Sequence, residues 1–134
     1  MWCRGRADWL TNDYKFIIDY KTTTNANPEK WSKAHVSQLG YDSQMMFYVR
    51  GIHHMKAMYP RFLFLVQENT EPFACSLVEL SSAFEDIGTG KIKRAIKTWS
   101  KCLRENMWGC YPGSPHLAMP ATWALYEHEE KEES

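Results

Sequence analysis

The sequence predicts an α/β or α+β domain, a sheet with helices packed on it. Two observations predict it. Short apolar runs with strand-like character come in two pairs, and helical segments stand between and after those pairs, giving the order β-β-α-α-β-β-α. A third observation marks a site on the first pair. Asp8 and Asp19-Tyr20-Lys21 sit on what reads as one β-hairpin. The chain has 134 residues, enough for one small domain, and 44% of them are hydrophobic.

The first strand runs Cys3 to Leu10, the turn is Thr11-Asn12-Asp13, and the second strand runs Tyr14 to Lys21. Strand side chains alternate faces, so Phe16, Ile18 and Tyr20 point one way and Ile17, Asp19 and Lys21 the other. Asn27-Pro28 opens a helix, with Asn as N-cap and Pro at the first helical position. That helix runs from about Glu29 to Gly40 and a longer one from about Tyr41 to Met58, with Gly40 marking a break and Pro60 a stop. Arg61–Gln67 and Phe73–Leu80 form a second hairpin around Glu71-Pro72. Ser81-Ser82 caps a helix from about Ala83 to Asn106. Ile92, Ala95, Ile96, Trp99 and Leu103 make its apolar stripe. Arg94, Lys97, Lys101 and Arg104 make a basic stripe at the same spacing. A Gly- and Pro-rich stretch to Pro120 precedes a short helix from about Ala121 to Glu130.

Charge and cysteine content exclude several classes. The formal net charge is +0. The tail from Glu127 holds five acids and one lysine, and taking these from 16 acidic and 16 basic residues leaves 11 against 15, a body of about +4. No apolar run approaches the roughly 20 residues of a membrane span, and no signal-peptide pattern opens the chain. Cys3, Cys75, Cys102 and Cys110 form no CxxC and no zinc spacing, and neither do the histidines. Free thiols then imply a cytoplasmic chain. Cys75 and Cys102 read as core residues, and Trp99, Trp108 and Trp123 as packing residues.

The chemistry rests on oxygen ligands and a lysine. Carboxylates from paired strands can hold a hard cation such as Mg²⁺, and a lysine two residues on can orient a water for attack. The acid-x-Lys spacing alone carries little, since Glu129-Glu130-Lys131 repeats it in the tail. Its weight comes from its place at the end of an apolar strand, with a second acid on the strand before. Gln44 and Tyr48, four apart, share one helix face, with Tyr41 one turn earlier. The basic stripe could track a DNA backbone or be the solvated face of an amphipathic helix.

Asp8, then Ile18-Asp19-Tyr20-Lys21-Thr22-Thr23, then Gly40 through Gln44 to Tyr48, resembles the PD-(D/E)xK nuclease superfamily. More closely it resembles the phage exonuclease branch related to RecE-type exonuclease VIII, with RecB-type nuclease domains as cousins. Phe64 to Glu68 with Glu71-Pro72-Phe73, and Cys102, Trp108, Pro120 and Trp123, resemble later parts of that branch. The resemblance implies a central mixed β-sheet flanked by helices, a restriction-endonuclease-like core. It implies a Mg²⁺-dependent (or Mn²⁺-dependent) deoxyribonuclease cutting linear double-stranded DNA from its ends in phage-type recombination. Asp8, Asp19 and the backbone carbonyl of Tyr20 would be metal ligands. Lys21 would position the attacking water, and Gln44 and Tyr48 would support the site. Tyr41, Arg94, Lys97, Lys101 and Arg104 would contact DNA. Duplex ends, a single-strand annealing protein and further copies of the chain are the implied partners. Only seven residues precede Asp8, where relatives carry a helix and a strand. Residues 1–126 are therefore expected to be the C-terminal portion of such a domain, followed by an acidic tail at 127–134. A RecB-like or endonucleolytic module, and an inactive remnant that binds DNA or a partner, are the alternatives.

Overall fold

A computed structural model describes residues 2–109, 111 and 113–132. Strands β1 (Trp9–Leu10) and β2 (Phe16–Thr23) lead to a helical segment. It begins as α1 (Pro28–Trp31), widens through a π-helical turn (Ser32–Val36) and ends as α2 (Ser37–Leu39). Then come α3 (Tyr41–Lys56), β3 (Arg61–Glu68), β4 (Cys75–Glu79), α4 (Ser82–Glu105) and α5 (Thr122–Glu132). The four strands form one mixed sheet in the order β1-β2-β3-β4. β1 pairs antiparallel to β2, β2 parallel to β3, and β3 antiparallel to β4. Both expected hairpins are present, and the mixed sheet is the expected fold class.

The local signals act where the sequence places them. Asn27 caps α1 by accepting from the Lys30 N–H, with Pro28 behind it. Gly40 takes φ +73°, the left-handed conformation that ends α2 and turns the chain into α3. The loop between β2 and α1 is tied down at Ala26. Its N–H donates to Glu68 Oε1 and its carbonyl accepts from the Ser76 hydroxyl.

Period-two alternation makes one sheet face the core. Ile17 and Asp19 on β2, Phe62, Phe64 and Val66 on β3, and Val78 on β4 are buried there. The parallel register sets Ile17 beside Phe62 and Asp19 beside Phe64. Trp31, Val36, Met45, Val49 and Ile52 cover this face from α1, the π-helical turn and α3. Trp31 is 2% exposed and packs against Phe64, so its truncation to Ala would cost about 3–5 kcal/mol. The opposite face holds exposed Trp9, Tyr20 and Leu77 with half-buried Ile18, Leu63 and Leu65.

Helix α4 packs along α3. Gly88 allows the close approach, since a Cβ there would lie 2.3 Å from the Asp42 carbonyl oxygen. One turn on, Lys91 Nζ donates to both oxygens of fully buried Asp42, at 2.7 and 3.0 Å. A groove of about 900 Å³ runs between α3, α4 and the N-terminal segment, lined by Trp2, Phe47, Ile52, Met55, Ile92 and Ile96.

Several expectations are corrected. The first strand is two residues long, not eight, and begins after Asp8. Cys75 is exposed, because the β4 register turns Ser76 and Val78 inward and sends Cys75 and Leu77 out. Only Ile92 of the α4 apolar stripe is buried, whereas Trp99 and Leu103 are about half exposed. A 24-residue helix is roughly 36 Å long and a 16-residue one roughly 24 Å, so α4 overruns α3. Trp99 and Trp108 meet edge to face, and Trp123 is 70% exposed. The expected last helix is present as α5 and runs on to Glu132, two residues past its expected end. Cys110, Glu133 and Ser134 lie outside the described residues. Among the described residues no helix is long and apolar enough to cross a membrane.

Candidate active site

Asp19 and Lys21 emerge from the same face of β2, as alternation requires, and face the first turns of α3. Asp19 is 2% exposed. Its Oδ1 accepts from the Gln44 side-chain amide at 2.8 Å, and its Oδ2 lies 2.5 Å from Lys21 Nζ. Lys21 Nζ in turn donates to Gln44 Oε1 at 3.1 Å. The three side chains close a ring. The amide is suited to the third corner, because it offers N–H to the carboxylate and an oxygen to the ammonium.

Asp8 completes the acidic side. Trp9 lies opposite Ile18 and Leu10 opposite Ile17, so one further step along the antiparallel register places Asp8 opposite Asp19 on the same face. Its Oδ2 accepts from the Tyr20 backbone N–H at 3.0 Å. The N–H and carbonyl of one strand residue point the same way, so the Tyr20 carbonyl is turned to the edge that Asp8 lines.

The i,i+4 pair on α3 reaches both acid-bearing strands. Gln44 holds Asp19 and Lys21. Tyr48 donates its hydroxyl to the Arg6 carbonyl at 2.9 Å, two residues before Asp8. Gly5 accommodates the Tyr48 ring, since a Cβ there would lie 2.8 Å from it. Tyr48 thus acts on the backbone that leads into Asp8. Tyr41, one turn before Gln44, places its ring 4.6 Å from Lys21 Nζ and stacks on Trp31.

The donor set fits a hard divalent cation. Buried Asp19 Oδ2 has the Lys21 ammonium as its partner and no further donor, so it retains lone-pair capacity. Asp8, Asp19 and the Tyr20 carbonyl are all oxygen donors, the type that Mg²⁺ and Mn²⁺ take. No group of three or more His, Cys, Asp or Glu side chains gathers among the described residues. Two carboxylates alone would leave positions for water and substrate, as Mg²⁺ sites commonly do.

The structure does not bring the basic stripe into this ring. Arg94, Lys97, Lys101 and Arg104 are exposed on α4, and Lys101 and Arg104 lie near Glu105 on the same helix. Sequence reasoning missed Phe64 and Trp31, which back the site, and the Asp42–Lys91 pair, which joins α4 to the turn carrying Tyr41 and Gln44. The closeness of Asp42 to Gln44 was the one available signal, and nothing in the spacing points to Lys91.

No curated protein matches the chain. Among solved structures, that of a "putative exonuclease" from Eubacterium rectale is similar, with a TM-score of 0.59 at 13% identity. The likeness covers 83% of this chain but 46% of that one, so the chain spans less than half of its neighbour's length. At that identity it speaks for the fold. A family model described as a PDDEXK-like domain of unknown function (DUF3799) matches residues 1–117, so the chain belongs to that PDDEXK-like family.

Proposed function

We propose that this chain carries the catalytic centre of a metal-dependent deoxyribonuclease that hydrolyses linear duplex DNA from its ends. The observation that carries the reading is the ring of Asp19, Lys21 and Gln44, with Asp8 across the strand from Asp19. Asp8, Asp19 and the Tyr20 carbonyl would hold Mg²⁺ or Mn²⁺. When bound, such an ion supplies Lewis-acid stabilisation of a phosphate oxygen and lowers the pKa of water. Lys21 has one ammonium held beside the acids, where it can donate to a phosphate oxygen or orient water. Gln44 fixes both partners, and Tyr48 fixes the approach to Asp8. Arg94, Lys97, Lys101 and Arg104 would follow the phosphate backbone, which makes binding fall with salt. The exonuclease mode and the phage-recombination setting rest on the sequence resemblance, as do the annealing partner and self-association. The similar solved structure is named for an exonuclease, which lends support to the exonuclease mode alone.

The test is cleavage of end-labelled linear duplex, with Mg²⁺ or EDTA, beside closed-circular DNA and a Lys21→Ala control. Mg²⁺-dependent loss of the linear substrate only, abolished in the control, is the expected result. Equal cutting of circular DNA would replace the exonuclease mode with an endonucleolytic one. No cleavage by folded protein at any metal concentration would refute catalysis by this chain.

A further inference from the structure

We infer that Tyr41 is a positioning residue for Lys21, acting through the face of its ring rather than as a contact to nucleic acid; the catalytic consequence rests on the nuclease reading above. A lysine ammonium sits on a flexible four-carbon stem and is strongly hydrated, so holding it at one point needs walls as well as partners. Asp19 and Gln44 hold Lys21 Nζ from one side. On another, the Tyr41 ring lies 4.6 Å from it and the Phe64 ring 6.0 Å, within the range of cation–π attraction.

The Tyr41 ring is itself fixed. It stacks on Trp31 at 5.6 Å with the planes 18° apart, and lies against Phe64 at 5.6 Å. Trp31 and Phe64 are both buried and touch each other. Three rings from α1, α3 and β3 therefore form one rigid wall, and the lysine side chain, 17% exposed, lies along it. A ring committed to Trp31, Phe64 and Lys21 has little face left for a base. The contact uses the π-face, so phenylalanine should serve and leucine should not.

The test uses the full chain labelled with ¹³C at the lysine ε carbons, with the Lys21 signal assigned from Lys21→Arg. Ring currents should shift the Lys21 ε protons upfield of the other lysines in the unsubstituted chain and in Tyr41→Phe. In Tyr41→Leu the signal should return to the common position. An unshifted Lys21 signal in the unsubstituted chain overturns the inference, even if Tyr41→Leu does not fold or the chain cleaves nothing. In the cleavage assay, Tyr41→Leu should lower kcat by about 2- to 30-fold, the range of a cation–π contact, with KM for duplex little changed and Tyr41→Phe restoring the rate. A raised KM at constant kcat would make Tyr41 a DNA contact and overturn the proposal. An inactive unsubstituted chain would remove the nuclease reading alone, and the spectrum would still decide this one.

Discussion

Replacing Lys91 with methionine would strip the charged partner from a fully buried carboxylate. Asp42 is fully buried, and Lys91 Nζ donates to both of its oxygens and, at 3.4 Å, to the Ser37 carbonyl. Breaking one side of a buried pair costs about 3–5 kcal/mol, because the remaining charge is uncompensated. The lower end applies here. The Ser43 N–H and hydroxyl still donate to Asp42 Oδ1, and Lys91 is 32% exposed, so the pair is partly hydrated to begin with. Unfolding entropy of about 2.1 cal/mol/K per residue gives about 0.28 kcal/mol/K for the chain, so a loss of about 3 kcal/mol lowers Tm by about 10 °C. Thermal denaturation followed by circular dichroism at neutral pH measures it. The double variant Lys91→Met/Asp42→Leu should regain most of the loss, since an apolar pair of similar volume can replace a buried ion pair without penalty. A fall of under about 2 °C for Lys91→Met, or a double variant no better than the single one, would refute this account of the α3–α4 junction.

Gln44→Glu should reduce cleavage more than Gln44→Leu, because a second carboxylate beside Asp19 repels it while leucine only removes two charge-assisted bonds of about 1.5–3 kcal/mol each; kcat for the two variants, side by side, is the check. Asp8→Asn and Asp19→Asn should each weaken Mn²⁺ binding by tenfold or more, on the order of 1.4 kcal/mol, readable by titration calorimetry without substrate. The Arg61 guanidinium donates two hydrogen bonds to Glu79 and holds its carboxyl below the ordinary carboxylate range. Its contribution to stability is therefore present above the unfolded-state pKa and lost as pH falls through the lowered folded value. An NMR titration of Glu79 should show a depressed midpoint that rises in Arg61→Ala.

What the sequence by itself determined is local and periodic. Alternation along β2 put Asp19 and Lys21 on one face, and the helical repeat put Gln44 and Tyr48 on one side of α3. Asn27-Pro28 and Gly40 set the helix boundaries through backbone preferences that need no distant partner. What only the tertiary structure decided depends on which segments meet. The hairpin that carries Asp8 was legible in the sequence, but the antiparallel register, in a β1 shortened to two residues, is what set Asp8 opposite Asp19. Parallel pairing of β2 with β3 set Phe64 beside Asp19 and left α1 and α3 to cover that face, which brought Trp31 and Tyr41 to the site. Lys91, 49 residues from Asp42, became its partner because Gly88 lets two helix backbones approach. Faces follow from the period of a contiguous segment, whereas register and partners are settled by the burial of surfaces far apart in the chain.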